Sequence, residues 1–245
     1  MKRVDGRNPT DLRPIEAKAG VIKNAEGSGY FKIGKTWAYA TVYGPKEIVP
    51  RFMMRPDKGI LKVNYNMMPF SGQGERVRPG PNRRAKELSM VSEKALASVL
   101  DLTKFKNSGV EIFIELPQTD AGSRCAGICA ASIALADAGF IMKDMVSAVA
   151  VGRVNGKIVV DLSYEEESDE GEGGAVDTAM AMIPSTEEIT LLQMDGQVTK
   201  EELLEAIEMG KDACRRIAEI QRQAIRDKYV LKGDEQWITA KKNIC

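Results

Sequence analysis

The chain has 245 residues, 43% of them hydrophobic and 29% charged, which is the balance of a folded globular chain rather than a disordered or fibrous one. Its 35 basic residues equal its 35 acidic ones, and it has no histidine, which excludes Ser-His-Asp and Cys-His nucleophile systems and imidazole metal sites. The longest uncharged apolar stretch, at 125–136, is too short for the roughly 20 residues of a membrane span, and Lys2, Arg3, Asp5 and Arg7 break up any apolar run that could open a signal peptide.

In chain order, Gly29-Tyr30-Phe31-Lys32-Ile33 and Thr36 to Tyr43 are aromatic and β-branched and read as two strands joined by a turn at Gly34-Lys35. Gly44-Pro45 is expected to end the second strand. Leu61 to Met67 alternates apolar with polar, as a half-buried strand does. The stretch from Pro69 to Pro81 is rich in Gly, Pro and Arg and reads as a loop. A helix follows from Asn82, a capping residue, to Leu100, with Leu88, Val91, Ala95, Leu96 and Val99 on one face. Val110 to Leu116 alternates as a strand, Pro117 to Gly122 is a short loop, and Ser123 to Ala138 is a helix apolar nearly all round, hence buried. Strands are expected at Met145 to Val154, Lys157 to Leu162, Thr178 to Ile183 and Ile189 to Met194. Thr199-Lys200-Glu201-Glu202 spells a capping box for a last helix that carries Leu203, Ile207, Ala213, Ile217, Ile220 and Ala224 inward and ends near Lys228. The order of elements and the short connections predict an α+β fold packed as one domain over 1–232, followed by a polar tail over 233–245. Cys125, Cys129, Cys214 and Cys245 lack paired C-x-x-C spacing and read as buried thiols of a reducing, cytoplasmic protein.

Although the net charge is zero, its signs are segregated. Arg51, Arg55, Lys58, Lys62, Arg76, Arg78, Arg83, Arg84 and Lys86 make a basic stretch, whereas 161–177 is acidic and carries Glu165, Glu166, Glu167, Asp169, Glu170, Glu172 and Asp177. The pattern suits a site for a polyanion with a divalent cation, and it equally suits two solvated loops. Gln118-Thr119-Asp120-Ala121-Gly122-Ser123-Arg124 follows a strand and opens a helix. A helix start offers unpaired N–H groups and partial positive charge, Gly122 permits close backbone approach, and Arg124 provides a fork for phosphate oxygens. The segment reads either as a phosphate cradle or as a plain cap at Ser123. Arg83 and Arg84 open a helix against its dipole, where phosphate binding would account for them and a solvated start would also serve. Gly29-x-x-x-x-Gly34-Lys35-Thr36 matches a P-loop by letters, but strands flank it on both sides where a P-loop needs a following helix.

Val4-Asp5-Gly6-Arg7, Leu12-Arg13-Pro14, Val42-Tyr43-Gly44-Pro45-Lys46-Glu47, Tyr65 to Ser71, Arg83-Arg84-x-x-Glu87-Leu88-Ser89, Asp120 to Arg124 and Leu191 to Gly196 together resemble the RNase PH family, in the spellings of archaeal exosome ring subunits. The resemblance implies an RNase PH-like fold of two related β-α units in a hexameric ring, a trimer of heterodimers with a homologous inactive subunit and with RNA-binding caps on one face. The implied activity is phosphate-dependent 3′→5′ degradation of single-stranded RNA to nucleoside diphosphates, reversible to tailing. Inorganic phosphate is the implied co-substrate and Mg²⁺ or Mn²⁺ the implied metal. Gly122, Ser123 and Arg124 would bind the attacking phosphate. Arg83, Arg84 and Lys62 would hold RNA, and Glu167 and Asp177 would be the catalytic and metal-binding acids. Glu167 stands where relatives usually have Asp, with Asp169 and Glu170 as alternatives, and Lys62 and Asn64 stand where relatives often carry two arginines. An inactive structural ring subunit and a homohexameric enzyme acting on tRNA 3′ ends are the alternative readings.

Overall fold

The computed structural model describes residues 3–73, 76–78, 82–167 and 176–242, with side chains as far as 229. Asp169, Glu170 and Glu172 lie outside the described residues. The first half forms a five-stranded sheet from β1 (Ile15–Ala19), β2 (Gly27–Ile33), β3 (Thr36–Lys46), β4 (Ile60–Met67) and β5 (Gly109–Gln118), in the order β1-β2-β3-β5-β4. Neighbours are antiparallel except β4 and β5, which run parallel with Lys62 opposite Glu111. Their parallel pairing requires a crossover, and helix α1 (Arg83–Ala97) lies in it. Asn82 caps α1 by accepting from the Ala85 amide at 2.7 Å.

The second half forms a four-stranded antiparallel sheet from β6 (Ser147–Val154), β7 (Lys157–Val160), β8 (Val176–Ile183) and β9 (Glu188–Asp195), in the order β7-β6-β8-β9. Helix α2 (Ser123–Asp137) joins the halves. It packs on β2, β3 and β5 of the first sheet and on β6 and β8 of the second, and nearly every side chain on it is buried. One contiguous apolar core therefore runs from Phe31, Ile112 and Ile114 through Ile128 and Ile133 to Val149 and Met180. Gly29 is what lets α2 lie so close. A Cβ there would sit 2.2 Å from the Ala130 carbonyl oxygen, so the glycine of the apparent P-loop spelling serves helix–strand packing.

Helix α3 is one short turn, Tyr164–Glu167, in the acidic stretch. The last helix, α4, spans Lys200–Lys242. Its capping box forms, with the Glu202 carboxylate accepting from the Thr199 amide at 2.8 Å and the Thr199 hydroxyl from the Glu202 amide at 3.2 Å. Gln221 of α4 is fully buried where α2, α4 and β6 meet. Its amide donates to the carbonyls of Cys129 and Val146, and its oxygen accepts from Ser147 at 2.6 Å.

Two expectations change, and one strand stands where none was expected. The helix runs on past Lys228 and through Gly233 to Lys242, because one glycine costs a helix only about 1 kcal/mol and 234–242 otherwise suits helix. β3 passes Gly44-Pro45 and ends at Lys46, the register shifting between Tyr43 and Lys46 so that the proline needs no ladder hydrogen bond. β1, unread from sequence, forms because β2 offers it an edge. Among the described residues no helix is long and apolar enough to cross a membrane.

Candidate active site

The loop between β5 and α2 is braced from β3. The Thr36 hydroxyl donates to the Ala121 carbonyl at 2.9 Å and accepts from the Asp120 amide at 3.0 Å. Gly122 then takes the left-handed conformation, φ 69° and ψ 27°, as the N-cap of α2, with no side chain capping the helix. The first-turn amides are thus presented at a helix start that carries partial positive charge. Ser123 is nearly buried beside Tyr65. Burial pushes the Tyr65 phenol up to about 12, with the Ser123 hydroxyl and the Arg84 and Arg124 charges pulling the other way. The Tyr65 hydroxyl nevertheless ends without a hydrogen bond of good geometry.

Arg124, one residue further, reaches into a cleft of about 880 Å³ lined by Arg83, Arg84, Glu87 and Leu88 of α1, Glu167 of α3, Asp177 of β8 and the end of β9 from Gln193 to Gly196. Helices α1, α2 and α3 and the second sheet thus contribute to one site. The cleft brings Arg83, Arg84 and Arg124 together with Glu87, Glu167, Asp177 and Asp195, so charges segregated along the chain meet in the fold. Asp177 and Asp195 are directly opposed across the β8–β9 ladder. Arg124 Nη2 lies 3.5 Å from Asp177 Oδ2. Burial raises the affinity of the Asp177 carboxyl for a proton, Arg124 and Arg84 oppose that shift, and Asp195 adds to it. Burial likewise raises Glu167, the Asp177 charge adds to it, and Arg124 and Arg84 oppose it.

Among the described residues no group of three or more carboxylates and thiols is disposed to hold a metal. Two carboxylates sharing a cleft with three arginines nonetheless fit Mg²⁺, which takes one or two carboxylates and completes its shell with water and phosphate oxygens.

Arg83, Arg84, Arg124, Glu167 and Asp177 therefore meet, while Gly122 and Ser123 stand at the helix start behind Arg124. Lys62 does not line the cleft. Its ammonium lies 3.1 Å from Glu111 on the neighbouring strand, and Lys46 reaches the same carboxylate. Asp195, Gln193 and Glu87 were not read as site residues. They belong to segments noted only for family spelling, and Gln193 donates to Glu87 at 2.8 Å across the cleft.

Residues 11–140 match the 3′ exoribonuclease family, domain 1, and residues 144–213 match its domain 2. The chain belongs to the RNase PH family of 3′ exoribonucleases. It is 48% identical over 234 residues to an exosome complex component, Rrp41, of Thermococcus kodakarensis, covering 96% of this chain and 92% of the relative. It is 47% identical over 240 residues to the protein so named in Pyrococcus furiosus, covering 96% and 94%. Among solved structures it resembles Rrp46 of rice, with TM-score 0.77, 25% identity and coverage of 90% of this chain and 98% of that one. The fold is also that of a chain from an Archaeoglobus fulgidus exosome with RNA bound to the active site, with TM-score 0.75, 24% identity and coverage of 89% and 92%. The two family domains coincide with the two sheets, and the cleft lies where they join.

Proposed function

We propose that this RNase PH-family exoribonuclease removes nucleotides from the 3′ end of single-stranded RNA by phosphorolysis, within an exosome ring. The observation that carries the reading is the meeting of Arg83, Arg84 and Arg124 with Glu167 and Asp177 in one cleft at the start of α2. Arg83 and Arg84 hold backbone phosphates of the RNA, a contact that carries no sequence information. The amides at Gly122 and Ser123 and the Arg124 guanidinium hold inorganic phosphate. One phosphate oxygen attacks the terminal phosphorus, the bond to the preceding 3′ oxygen breaks, that oxygen takes a proton, and a nucleoside 5′-diphosphate leaves. The reverse reaction extends RNA. Phosphate is already an anion at neutral pH, so the step requires positioning and charge neutralisation more than a histidine base. Glu167 and Asp177 would hold Mg²⁺ or Mn²⁺, which supplies neutralisation of charge on the transferring phosphoryl group. Lys62, outside the cleft, is assigned to RNA farther from the reacting end.

The partners in this reading are a homologous ring subunit without a complete site, in a trimer of heterodimers, and RNA-binding cap subunits, in the cytoplasm. The test mixes this chain with its ring partner, RNA and Mg²⁺, with and without inorganic phosphate. Diphosphate products that need phosphate support the reading, and monophosphates formed without phosphate refute it. Asp177→Ala should abolish decay while leaving the ring assembled. An assembled wild-type ring without activity would make the chain a structural subunit.

A further inference from the structure

Glu167 is the last residue of a helix only four residues long, and a single exposed turn does not hold a carboxylate in place by itself. Its neighbour Glu166 points the other way and is 1% exposed. Successive helical residues differ by about 100° around the axis, so locking Glu166 inward turns Glu167 toward the cleft. The lock is Arg3, itself 3% exposed. Its Nε donates to Glu166 Oε1 at 2.8 Å and its Nη2 to Oε2 at 2.6 Å, a two-pronged ion pair. Arg3 also donates to the carbonyls of Val160 and Asp161 at 2.7 and 2.8 Å. Glu166 Oε2 further accepts from the Ser163 amide at 2.9 Å.

The same network reaches the phosphate loop. Asp161 sits at φ 57°, in the left-handed region that few residues besides glycine, asparagine and aspartate adopt. Its carboxylate accepts from the Arg13 amide at 2.6 Å and from Arg13 Nε and Nη2 at 3.0 and 2.7 Å. Arg13 Nη1 donates to Asp120 at 2.9 Å, and Nη2 also donates to the Ala121 carbonyl at 3.3 Å, next to Gly122. The Tyr164 amide, at the start of α3, donates to the other Asp120 oxygen at 3.1 Å.

We propose that the buried Arg3–Glu166 pair, joined through Asp161, Arg13 and Asp120 to the phosphate loop, is the positioning device that sets Glu167 in the active cleft. This rests on the catalytic reading of the cleft given above. Arg3 and Glu166 touch no substrate there and act only through Glu167. The network ties an N-terminal arginine to a glutamate 163 residues later, so its purpose is invisible to any local reading.

The test is a mutant cycle on the assembled ring. Glu166→Gln keeps the shape, removes the negative charge and sets an amide N–H donor against one of the Arg3 donors. It should lower kcat about 10- to 100-fold, as loss of a supporting carboxylate typically does, with the RNA KM unchanged. Mn²⁺ binding followed by electron paramagnetic resonance should weaken by a similar factor. In a Glu167→Gln background the same substitution should change the residual rate less than about twofold, because its target is gone. Equal losses in both backgrounds, or a kcat within twofold of wild type in the first, overturn the proposal. Should Glu166→Gln not assemble, the same cycle is run with Arg3→Met/Glu166→Leu, which fills the site without a buried unpaired charge. An unaltered kcat in that ring, or a loss that persists in the Glu167→Gln background, overturns it equally. Failure of the phosphorolytic reading shows separately, as a wild-type ring whose decay ignores phosphate.

Discussion

Replacing Gly122 by alanine isolates the conformational requirement of the phosphate loop from any steric one. A Cβ at that position would meet Ala150 Cβ at 3.7 Å and Arg13 Nη2 at 3.8 Å, both ordinary contacts. The cost is therefore backbone strain alone. Holding a non-glycine residue at φ 69° costs roughly 1–2 kcal/mol, and the reduced freedom of alanine in the unfolded chain returns about 0.4–1 kcal/mol. The net loss is about 1 kcal/mol, which for a chain of this size lowers Tm by about 2–4 °C. The strained turn relieves itself by rotating the first amides of α2 away from the anion. Weakening one charge-assisted bond by about 1 kcal/mol raises the phosphate KM about fivefold. The assay is thermal denaturation of the ring at fixed protein concentration, alongside initial rates over a phosphate series. A phosphate KM equal to wild type in a ring whose Tm has fallen as expected would show that the amides at this helix start do not hold phosphate.

Arg124→Ala removes a charged donor and should raise the phosphate KM by about 10- to 100-fold, read from the same series; a rate that responds to phosphate as before removes Arg124 from the site. Glu167 has a raised proton affinity in the fold, so its ionisation destabilises the protein as pH rises through its folded value, and the neutral form is fully favourable only below the ordinary carboxylate range. Glu167→Gln should accordingly raise Tm at neutral pH, with the gain fading toward about pH 4; a lower Tm at neutral pH contradicts the crowding of charge. Burial pushes the Cys129 thiol up to about 12 and raises Cys125 and Cys214 well above their usual range. All three should resist a thiol reagent until the protein is denatured, and labelling in the native ring would contradict their burial.

Local features of the fold were legible where one segment carries its whole cause. Asn82 and the Thr199–Glu202 pair announce helix starts because the cap and the amide it satisfies lie within three residues. Val110, Ile112, Ile114 and Leu116 are buried on one face of β5, while Glu111, Phe113 and Glu115 fall on the half-exposed other face. β1 escaped notice because Ile15-Glu16-Ala17-Lys18-Ala19 has weak strand formers and owes its conformation to pairing with β2. The site divided in the same way. Arg124 and Gly122 signal themselves through a strand–glycine–helix spelling. Asp195 enters the cleft only because β9 pairs with β8 at Asp177, and Arg13 meets Asp161 across 148 residues. Lys62 belonged to a basic stretch by sequence, yet a strand register set it beside Glu111.

The loop proposed to hold phosphate opens the helix that lies at the centre of the shared core, which gives it an unusual place in the hierarchy of local unfolding. Binding loops commonly open at little cost, but the inner amides of α2 should exchange hydrogen only when both sheets come apart. The smallness of the ligand makes sense of this. Inorganic phosphate, with five heavy atoms, brings at best about 1.5 kcal/mol for each. Ordering a loop of about six residues at roughly 1–2 kcal/mol each would consume most or all of that. A substrate so small can be captured only by a cradle that is already rigid before it arrives.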